Sequence, residues 1–261
     1  MKLFVRLSIG LVVAAAVVSA NETRSAEYVS HRAEYKYFLG RSETRAGGSV
    51  EENRITCDAW VQTTRHRMHG PRLIPTIQRL DITEYRDGRG MIFLHHLSAG
   101  GERLIRLEGS VARARNGGRL IARFTSPKAK EVPLPRGTIF ATAFYFRTLR
   151  ELTATPRKTV GRAPVFGLLS RGAALHYVEA RRAKESAPLF IKVAGDADLL
   201  DAPAIDVEMR LFDARRAKTP RHRIVMKLHA NGIYSRAIYY LPRVTISAEV
   251  ARIEKLDTPR C

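Results

Sequence analysis

The side chains of this sequence best suited to metal or acid–base chemistry are its eight histidines. His66 and His69 stand three positions apart in TRHRMHG, and His95 and His96 are adjacent in FLHHLS. On a β-strand, adjacent side chains and side chains three positions apart point to opposite faces, unless a bulge intervenes. A metal ion needs ligands that converge on one point. This spacing therefore favours ordinary surface or hydrogen-bonded histidines, and we expect no metal site.

The sequence carries none of the common catalytic motifs. It has no G-x-S-x-G nucleophile elbow, no H-E-x-x-H zinc motif, and no G-x-x-x-x-G-K or G-x-G-x-x-G phosphate-binding loop. Its carboxylates are too few and too scattered to nominate the paired acids of a glycosidase. We therefore expect a non-enzymatic protein that uses no cofactor.

The first twenty residues predict export from the cytoplasm. A segment with two positive residues precedes an apolar run at residues 7–18, and this run ends in the small residues that a signal peptidase accepts. The run is about a dozen residues long, whereas a membrane-spanning helix needs about 20. We expect a signal peptide at residues 1–20, cleaved after Ala20, and one mature domain at residues 21–261 without a transmembrane anchor. The alternative is an uncleaved N-terminal anchor.

Export also determines how the two cysteines are interpreted. Cys57 lies in ITCDAW, and Cys261 is the last residue. In an oxidising compartment such a pair is far more often a disulfide than a metal site, and two cysteines permit one intramolecular pairing. We expect a disulfide between Cys57 and Cys261. The alternatives are two free thiols or a disulfide between two copies of the chain.

The chain is strongly basic, with 45 lysines and arginines against 25 acidic residues and a formal net charge of +20. An exported chain rarely meets nucleic acid, and basic residues do not alternate with aromatic ones as they do in nucleic-acid grooves. We therefore expect no nucleic-acid partner. The charge indicates either an anionic partner, such as phospholipid headgroups or an acidic polymer, or a scattered charge that only keeps the protein soluble.

Hydrophobic patterning predicts a mainly β protein. HRAEYKYFL at residues 31–39 alternates apolar and polar residues, and turn residues separate similar runs roughly every 8–12 positions. Asn116-Gly117-Gly118 and Asn231-Gly232 each stand between two such runs and predict hairpins. The acidic, proline-containing residues 196–204 predict a long loop, at which a division into two domains is the alternative to one continuous domain.

One segment, GTIFATAFYFRTLRELTATP, breaks this pattern. Four of its residues fall at helical spacing: Phe144, Thr148, Leu149 and Leu152. This spacing predicts a single short helix near residues 142–152, with Thr142 as its N-cap and Pro156 as its stop. We expect the helix to plug an open barrel end or to cover the concave face of the sheet.

The motif CDAW contains the single tryptophan, Trp60. On a strand, its side chain would point away from the face that carries Cys57. It is either an anchor of the hydrophobic core or a residue that stacks on a ligand, and we expect the core.

Six motifs stand in the order and at the spacing of a known family. They are HRAEY at 31–35, CDAW at 57–60, FTSP at 124–127, LPRGT at 134–138, NGI at 231–233 and a closing Leu256, Pro259 and Cys261. Through these motifs the chain, from His31 to Cys261, resembles the EipB-like periplasmic proteins of alphaproteobacteria, a former domain of unknown function linked to cell-envelope integrity. It departs from the family pattern at Ala59, where glycine is usual, and at Ala141 and Phe144, where the family tends to have proline and a nearby histidine.

The resemblance implies a β-spiral, which is one long curved antiparallel sheet of about fourteen strands that coils into a broken barrel with a helix nearby. This outline is similar to the half-barrels of the lipoprotein carriers LolA and LolB. The resemblance also implies a periplasmic location and a bridge between Cys57 and Cys261. The function it implies is a non-enzymatic role in envelope integrity, through binding an anionic or lipidic envelope component or another periplasmic protein on the curved sheet. The alternative is a carrier of lipid or lipoprotein, and we expect a monomer in either case.

Overall fold

A computed structural model describes residues 28–40, 42, 44–69, 74–114, 119–154, 159–169, 172–184, 191–241 and 244–261. Three features named above lie outside these residues: the expected signal peptide, the Asn116-Gly117-Gly118 turn and Pro156. Most of the described residues form β-strands, as the alternating pattern predicted.

The described residues contain sixteen strands and one α-helix. The strands are β1 (His31–Leu39), β2 (Arg45–Ile55), β3 (Ala59–Met68), β4 (Thr76–Tyr85), β5 (Gly90–Ala99), β6 (Glu102–Arg113), β7 (Leu120–Ser126), β8 (Lys130–Pro133), β9 (Ile139–Phe140), β10 (Thr159–Leu169), β11 (Gly172–Arg182), β12 (Ala194–Gly195), β13 (Ala204–Phe212), β14 (His222–His229), β15 (Tyr234–Tyr240) and β16 (Thr245–Lys255). The helix α1 spans Ala141–Ala154. A 3₁₀ helix, η1 (Ala197–Asp201), occupies part of the predicted loop at residues 196–204.

All sixteen strands belong to a single sheet in which β1 and β16 are central neighbours. From β1 one wing runs in chain order to the edge strand β8, and from β16 the other wing runs backwards along the chain to the edge strand β9. Neighbours are antiparallel except β9 with β10 and β12 with β16. This confirms the predicted long antiparallel sheet. The strand number exceeds the expected fourteen, and β9 and β12 are two-residue strands that periodicity does not detect.

The connection between the two edges explains why the sheet curls. Laid flat, the fifteen strands on the main path would be about 67 Å wide, because neighbouring strands lie about 4.8 Å apart. Yet β8 ends at Pro133 and β9 begins at Ile139, and a segment of this length can reach at most about 20 Å. The two edges of the sheet must therefore lie close together. Phe93 of β5 and Phe166 of β10 accordingly pack together, with ring centroids 5.9 Å apart. The result is a broken barrel.

The helix α1 packs against the concave side of this barrel and confirms the predicted helix. Its four residues at helical spacing, Phe144, Thr148, Leu149 and Leu152, are all buried. Phe144, Leu149 and Leu152 belong to a core cluster that includes side chains of both wings. Within the described residues, no helix combines the length and the apolar character that a membrane crossing requires.

The N-terminus of α1 is capped from a distant strand, so the predicted Thr142 cap was wrong. Thr142 lies inside the helix, and its backbone N–H donates to Glu84 of β4 at 3.1 Å. The N–H of Ala143 donates to the other Glu84 oxygen at 2.9 Å. A carboxylate at this position satisfies two of the free N–H groups of the first turn and complements the helix dipole. Local sequence does not reveal this cap, because Glu84 precedes the helix by more than fifty residues.

Two loop features hold the central strands. The predicted Asn231-Gly232 turn joins β14 to β15, and Gly232 has a positive φ of +85°. The Cα of Gly232 lies so close to the Tyr28 ring that a Cβ at this position would overlap the ring. After β16, the backbone N–H of Leu256 donates to Ser30 at 2.8 Å. The chain then ends in a disulfide between Cys261 and Cys57, whose Cα atoms are 5.5 Å apart.

Candidate binding cavity on the concave face

A cavity of about 350 Å³, called here the central cavity, lies on the concave face between the two wings. Strand β3 contributes four alternate residues to its lining: Gln62, Thr64, His66 and Met68. Strands β1, β2 and β4 add residues from the same wing, and β13 to β16 line the opposite side. The alternation shows that one face of each strand points into the cavity and the other to the outside.

A second cavity of about 190 Å³, called here the apolar cavity, adjoins the first. The two cavities share Leu211 and Ile224 as a common wall. Apart from Tyr145 and His176, the lining of the apolar cavity is hydrophobic and includes Phe144 of α1. The concave face therefore offers a chamber with a group of polar side chains among apolar walls, next to a chamber that is almost wholly apolar.

The polar side of the central cavity is organised around Glu51, a buried carboxyl group on β2. The Tyr234 hydroxyl donates to Glu51 Oε1 at 2.6 Å, and the Ser49 hydroxyl lies 3.4 Å from the same oxygen. The Tyr37 hydroxyl donates to Ser49 Oγ at 2.8 Å and lies 2.6 Å from His66 Nδ1. We refer to Glu51, Ser49, Tyr37, His66 and Tyr234 as the Glu51 network.

The proton positions in this network follow from its donors. Each hydroxyl has one proton, so Ser49 can donate to Glu51 only if it accepts from Tyr37. In that arrangement Tyr37 accepts from His66, whose imidazole proton is then on Nδ1; in the other tautomer Tyr37 donates to His66 and Ser49 donates to Tyr37. In both arrangements Tyr37 and Ser49 connect His66 to Glu51, and Tyr234 is the closest donor to the carboxyl group.

Burial shifts the protonation of the two titratable ends of this chain. It raises the pKa of Glu51 to about 7, an effect that the hydrogen bonds from Tyr234 and Ser49 only partly oppose. It lowers the pKa of His66 to about 4, helped by the nearby His95. Glu51 is therefore poised to exchange a proton near neutral pH, whereas His66 stays neutral there.

Several polar atoms near the cavity have no partner of their own. Within the described residues, the hydroxyl of Thr64, which lines the cavity, and Nδ1 of His95 are buried without a hydrogen bond. The other ring nitrogen of His95 lies 3.0 Å from the amide nitrogen of Gln78, which also lines the cavity. Buried polar groups are almost always satisfied in proteins, so an unpartnered hydroxyl facing a cavity is a ready hydrogen-bonding position for a ligand.

The structure places the four histidines that the sequence singled out on different faces of the sheet. His66 and His95 point to the concave side, whereas His69 is exposed and His96 lies on the convex side near Glu108. In the part of the chain that the structure describes, no cluster of three or more histidine, cysteine, aspartate or glutamate side chains is arranged to hold a metal. Trp60 lies outside the linings of both cavities and packs on Phe146 of α1, with ring centroids 5.3 Å apart.

Sequence reasoning missed Glu51 and its tyrosines. Glu51 stands in the polar run VEENR, which gives no sign of burial. Its main partner, Tyr234, is 183 positions away and reaches it only because the pairing of β1 with β16 brings β15 within three strands of β2 in the curved sheet. The period-two pattern that placed Tyr35 and Tyr37 on one face of β1 was the one local signal for an aromatic concave surface.

Comparisons with known proteins place this geometry in a family. A profile of the EipB-like family matches residues 22–257. The chain is also similar to the crystal structure of a β-barrel-like protein of domain of unknown function DUF1849 from Brucella abortus, with a TM-score of 0.72 and 17% identity over 89% of this chain and 100% of that one. At this identity, the similarity establishes the fold alone. The comparison with curated protein sequences gives no significant match. Because the family match extends over most of the sequence, this chain belongs to the EipB-like family.

Proposed function

We propose that this protein is a non-enzymatic periplasmic protein that supports cell-envelope integrity by binding one small amphipathic envelope molecule on its concave face. The observation that carries the proposal is the pairing of the two cavities. The Glu51 network and the Thr64 hydroxyl provide hydrogen-bonding groups for a polar head, and the adjoining apolar cavity accepts a hydrophobic part. This combination of apolar walls and a few placed polar groups is typical of small-molecule sites.

Two observations support a periplasmic location. A disulfide such as that between Cys57 and Cys261 persists in oxidising compartments. The family match begins at residue 22, just after the expected cleavage site at Ala20. Both agree with the signal peptide that the sequence predicts.

The size of the cavities favours the proposed function over its alternative, a carrier of lipid or lipoprotein. Pockets for drug-sized ligands occupy about 300–1,000 Å³, and the central cavity, at about 350 Å³, lies at the lower end of that range. Much of the remaining concave face is filled by α1 and the core side chains packed against it. A single small amphiphile fits this space better than the several acyl chains of a lipoprotein, so a carrier role is restricted to a small lipid.

The proposal is tested by blocking the cavity in a cell. Leu80 of β4 lines the central cavity, and Leu80→Trp fills part of it with a larger side chain. Thr83 lies on the opposite face of the same strand, so Thr83→Trp is the matched control. In a strain of the source organism that lacks the gene, we expect wild type and Thr83→Trp to restore growth under detergent stress and Leu80→Trp to fail.

The comparison is valid when all three proteins accumulate to the same level and melt at similar temperatures. Full complementation by Leu80→Trp would show that the cavity is not the functional site. Failure of wild type to change detergent sensitivity would exclude the envelope role itself.

A further inference from the structure

The exposed large hydrophobic residues of this protein are concentrated in one part of the convex surface. Among the described residues they are Ile74, Ile77, Leu104 and Ile92, which are 69%, 57%, 58% and 52% exposed. All four lie in the wing formed by β4, β5 and β6 or in the loop just before β4. Single exposed aliphatic residues are ordinary, but four from one wing and none from the other require an explanation.

Three of these residues gather at one end of the wing. Ile77 is paired with Ser98 of β5, and Ser98 is paired with Arg103, the neighbour of Leu104. Ile74 lies beside Gly100 in the turn between β5 and β6, since a Cβ on that glycine would be 3.8 Å from its side chain. We call this group of Ile74, Ile77 and Leu104 the apolar corner.

A row of basic side chains crosses the sheet next to the apolar corner. Arg65 of β3 is paired with Arg79 of β4, Arg79 with His96 of β5, and His96 with Arg106 of β6. Residues paired in this way share one face, and neighbouring strands are about 4.8 Å apart, so the row spans about 14 Å. Along β4, Arg79 follows Ile77 by two residues, which separates the two positions by about 7 Å.

The charge of this surface is only partly neutralised. Arg79 pairs with Asp81 at 2.7 Å, and Arg106 pairs with Glu108 at 2.8 Å. Arg65 is exposed, and no ion pair engages it within the described residues. Arg67 is also exposed and, within the described residues, makes no ion pair. It is paired in register with Ile77 of the apolar corner. Arginines directly opposite one another on neighbouring strands repel each other, and an external anion would compensate the positive charge that Asp81 and Glu108 leave.

We propose that the apolar corner and its arginine row dock this protein on an anionic phospholipid bilayer. An interfacial membrane site buries apolar side chains about 5–10 Å into the boundary between headgroups and acyl chains. In a docked orientation with the strands along the membrane normal and the apolar corner inserted first, the spacing of about 7 Å along β4 between Ile77 and Arg79 places the Arg79 guanidinium at phosphate depth. Residues 1–20 contain two basic and no acidic residues, so the expected mature chain keeps a net charge of +18, which adds attraction to an anionic leaflet.

A membrane fits this surface better than other anionic partners. A soluble acidic polymer would use the arginines but gives no reason for three protruding aliphatic side chains. A protein partner would favour a contiguous apolar patch with aromatic anchors, whereas the apolar corner consists of small aliphatic protrusions beside charge. Because side chains alternate along β3 and β4, the docking face is the reverse side of the strands that line the central cavity. Docking and cavity binding can therefore be tested independently.

The test is co-sedimentation of the purified protein with phosphatidylcholine vesicles that contain or lack phosphatidylglycerol. We expect binding to the anionic vesicles that weakens as salt is raised, and little binding to phosphatidylcholine alone. Each arginine near an anionic surface contributes about five-fold in affinity, so Arg65→Gln combined with Arg67→Gln should weaken binding about thirty-fold. Ile77→Ser combined with Leu104→Ser should weaken it at least ten-fold, because two aliphatic side chains are no longer inserted.

The controls lie on the same molecule. Ile92→Ser changes a similarly exposed isoleucine on the same face of the wing, about 20 Å from Ile77 along the strands, and should leave binding unchanged. Arg216→Gln combined with Lys218→Gln removes two exposed charges outside this wing and should cost far less than the Arg65 and Arg67 pair. Thermal melts verify that each variant is folded.

Three results would overturn the proposal. Equal binding to both kinds of vesicle would exclude recognition of anionic lipid. An equal loss of affinity in the Arg65 and Arg67 double variant and in the Arg216 and Lys218 double variant would show that net charge, rather than this surface, drives binding. An unchanged affinity in the Ile77 and Leu104 variant would show that nothing is inserted, leaving an electrostatic contact that an acidic polymer provides equally well.

Discussion

Replacing Glu51 with glutamine removes a buried carboxyl group of the central cavity, the pKa of which is raised to about 7. The amide oxygen of glutamine can still accept the hydrogen bond from Tyr234. The variant thus imitates the protonated acid and preserves the shape of the site. We expect Glu51→Gln to make the folded state more stable than wild type at alkaline pH and nearly as stable at acid pH.

The sign of this change in stability with pH follows from proton linkage. The pKa of Glu51 is about 7 in the folded protein, against an ordinary value of 4.5 that applies when the chain unfolds. Between these values the folded state holds a proton that the unfolded state releases, so the free energy of unfolding falls as pH rises and levels off above pH 7. The pKa difference of about 2.5 corresponds to about 3.4 kcal/mol, of which about 2.5 kcal/mol develops between pH 5 and pH 8.

The assay is urea denaturation of wild type and Glu51→Gln at a series of pH values from 5 to 8. The buried histidines, including His66 and His95, contribute in the opposite direction, because their lowered pKa values destabilise the fold as pH falls below 6.5. They are present in both proteins and cancel in the difference. Glu52→Gln is the control, since Glu52 is the next residue on β2, where it pairs with exposed Arg54.

We expect the stability difference between wild type and Glu51→Gln to grow by about 2.5 kcal/mol across this range, and the difference for the exposed Glu52→Gln to change far less. If the stability difference between wild type and Glu51→Gln did not change with pH, the central cavity would not contain a buried, protonated carboxyl group. A difference that grows towards acid pH would reverse the assignment and indicate an ionised Glu51.

Three further predictions concern the scaffold. Glu84→Ala removes the acceptor for two N–H groups of α1 and should destabilise the fold by about 1–3 kcal/mol in urea, whereas Glu84→Gln, which keeps one acceptor, should cost less. Gly232→Ala should destabilise by more than 1 kcal/mol, because a Cβ at this positive φ overlaps the Tyr28 ring; an unchanged melting temperature would show that the ring is free to move. Mass mapping without reduction should recover one disulfide-linked peptide pair that contains Cys57 and Cys261, and a linked dimer or two free thiols would refute the pairing. Replacing both cysteines with serine should lower the free energy of unfolding by up to roughly 5 kcal/mol, the chain-entropy estimate for a loop of this length.

Local patterns were sufficient for the elements but not for their arrangement. The alternation in residues 31–39 and the helical spacing of Phe144 and Leu152 depend on neighbouring residues, so β1 and α1 were predictable. The pairing of β1 with β16 joins strands at opposite ends of the described chain, and no local pattern encodes it. The family resemblance supplied the curved sheet, and the cap of α1 by Glu84 was missed for the same reason as the strand pairing.

The candidate site was less predictable than the fold. His66 was considered with His69 as a candidate metal ligand and was then assigned to the ordinary surface or hydrogen-bonded histidines, and its contact with Tyr37 was not predicted. The carboxyl group of Glu51, in a polar run, becomes buried only once β1, β16 and β15 are placed beside its strand, so composition alone assigns it to the surface. The apolar corner has the same origin, since Ile77 and Leu104 look like ordinary strand residues until register and face are known.

Native mass spectrometry of the protein purified from its own cell envelope tests the central claim most directly. If the concave face binds one small amphipathic molecule, wild type and Thr83→Trp should carry a reproducible non-covalent adduct of a single mass, and solvent extraction should release the same compound from both. Leu80→Trp should lack the adduct, because its side chain occupies the central cavity. A wild-type protein that is reproducibly free of any adduct, or an adduct that survives in Leu80→Trp, would contradict the account.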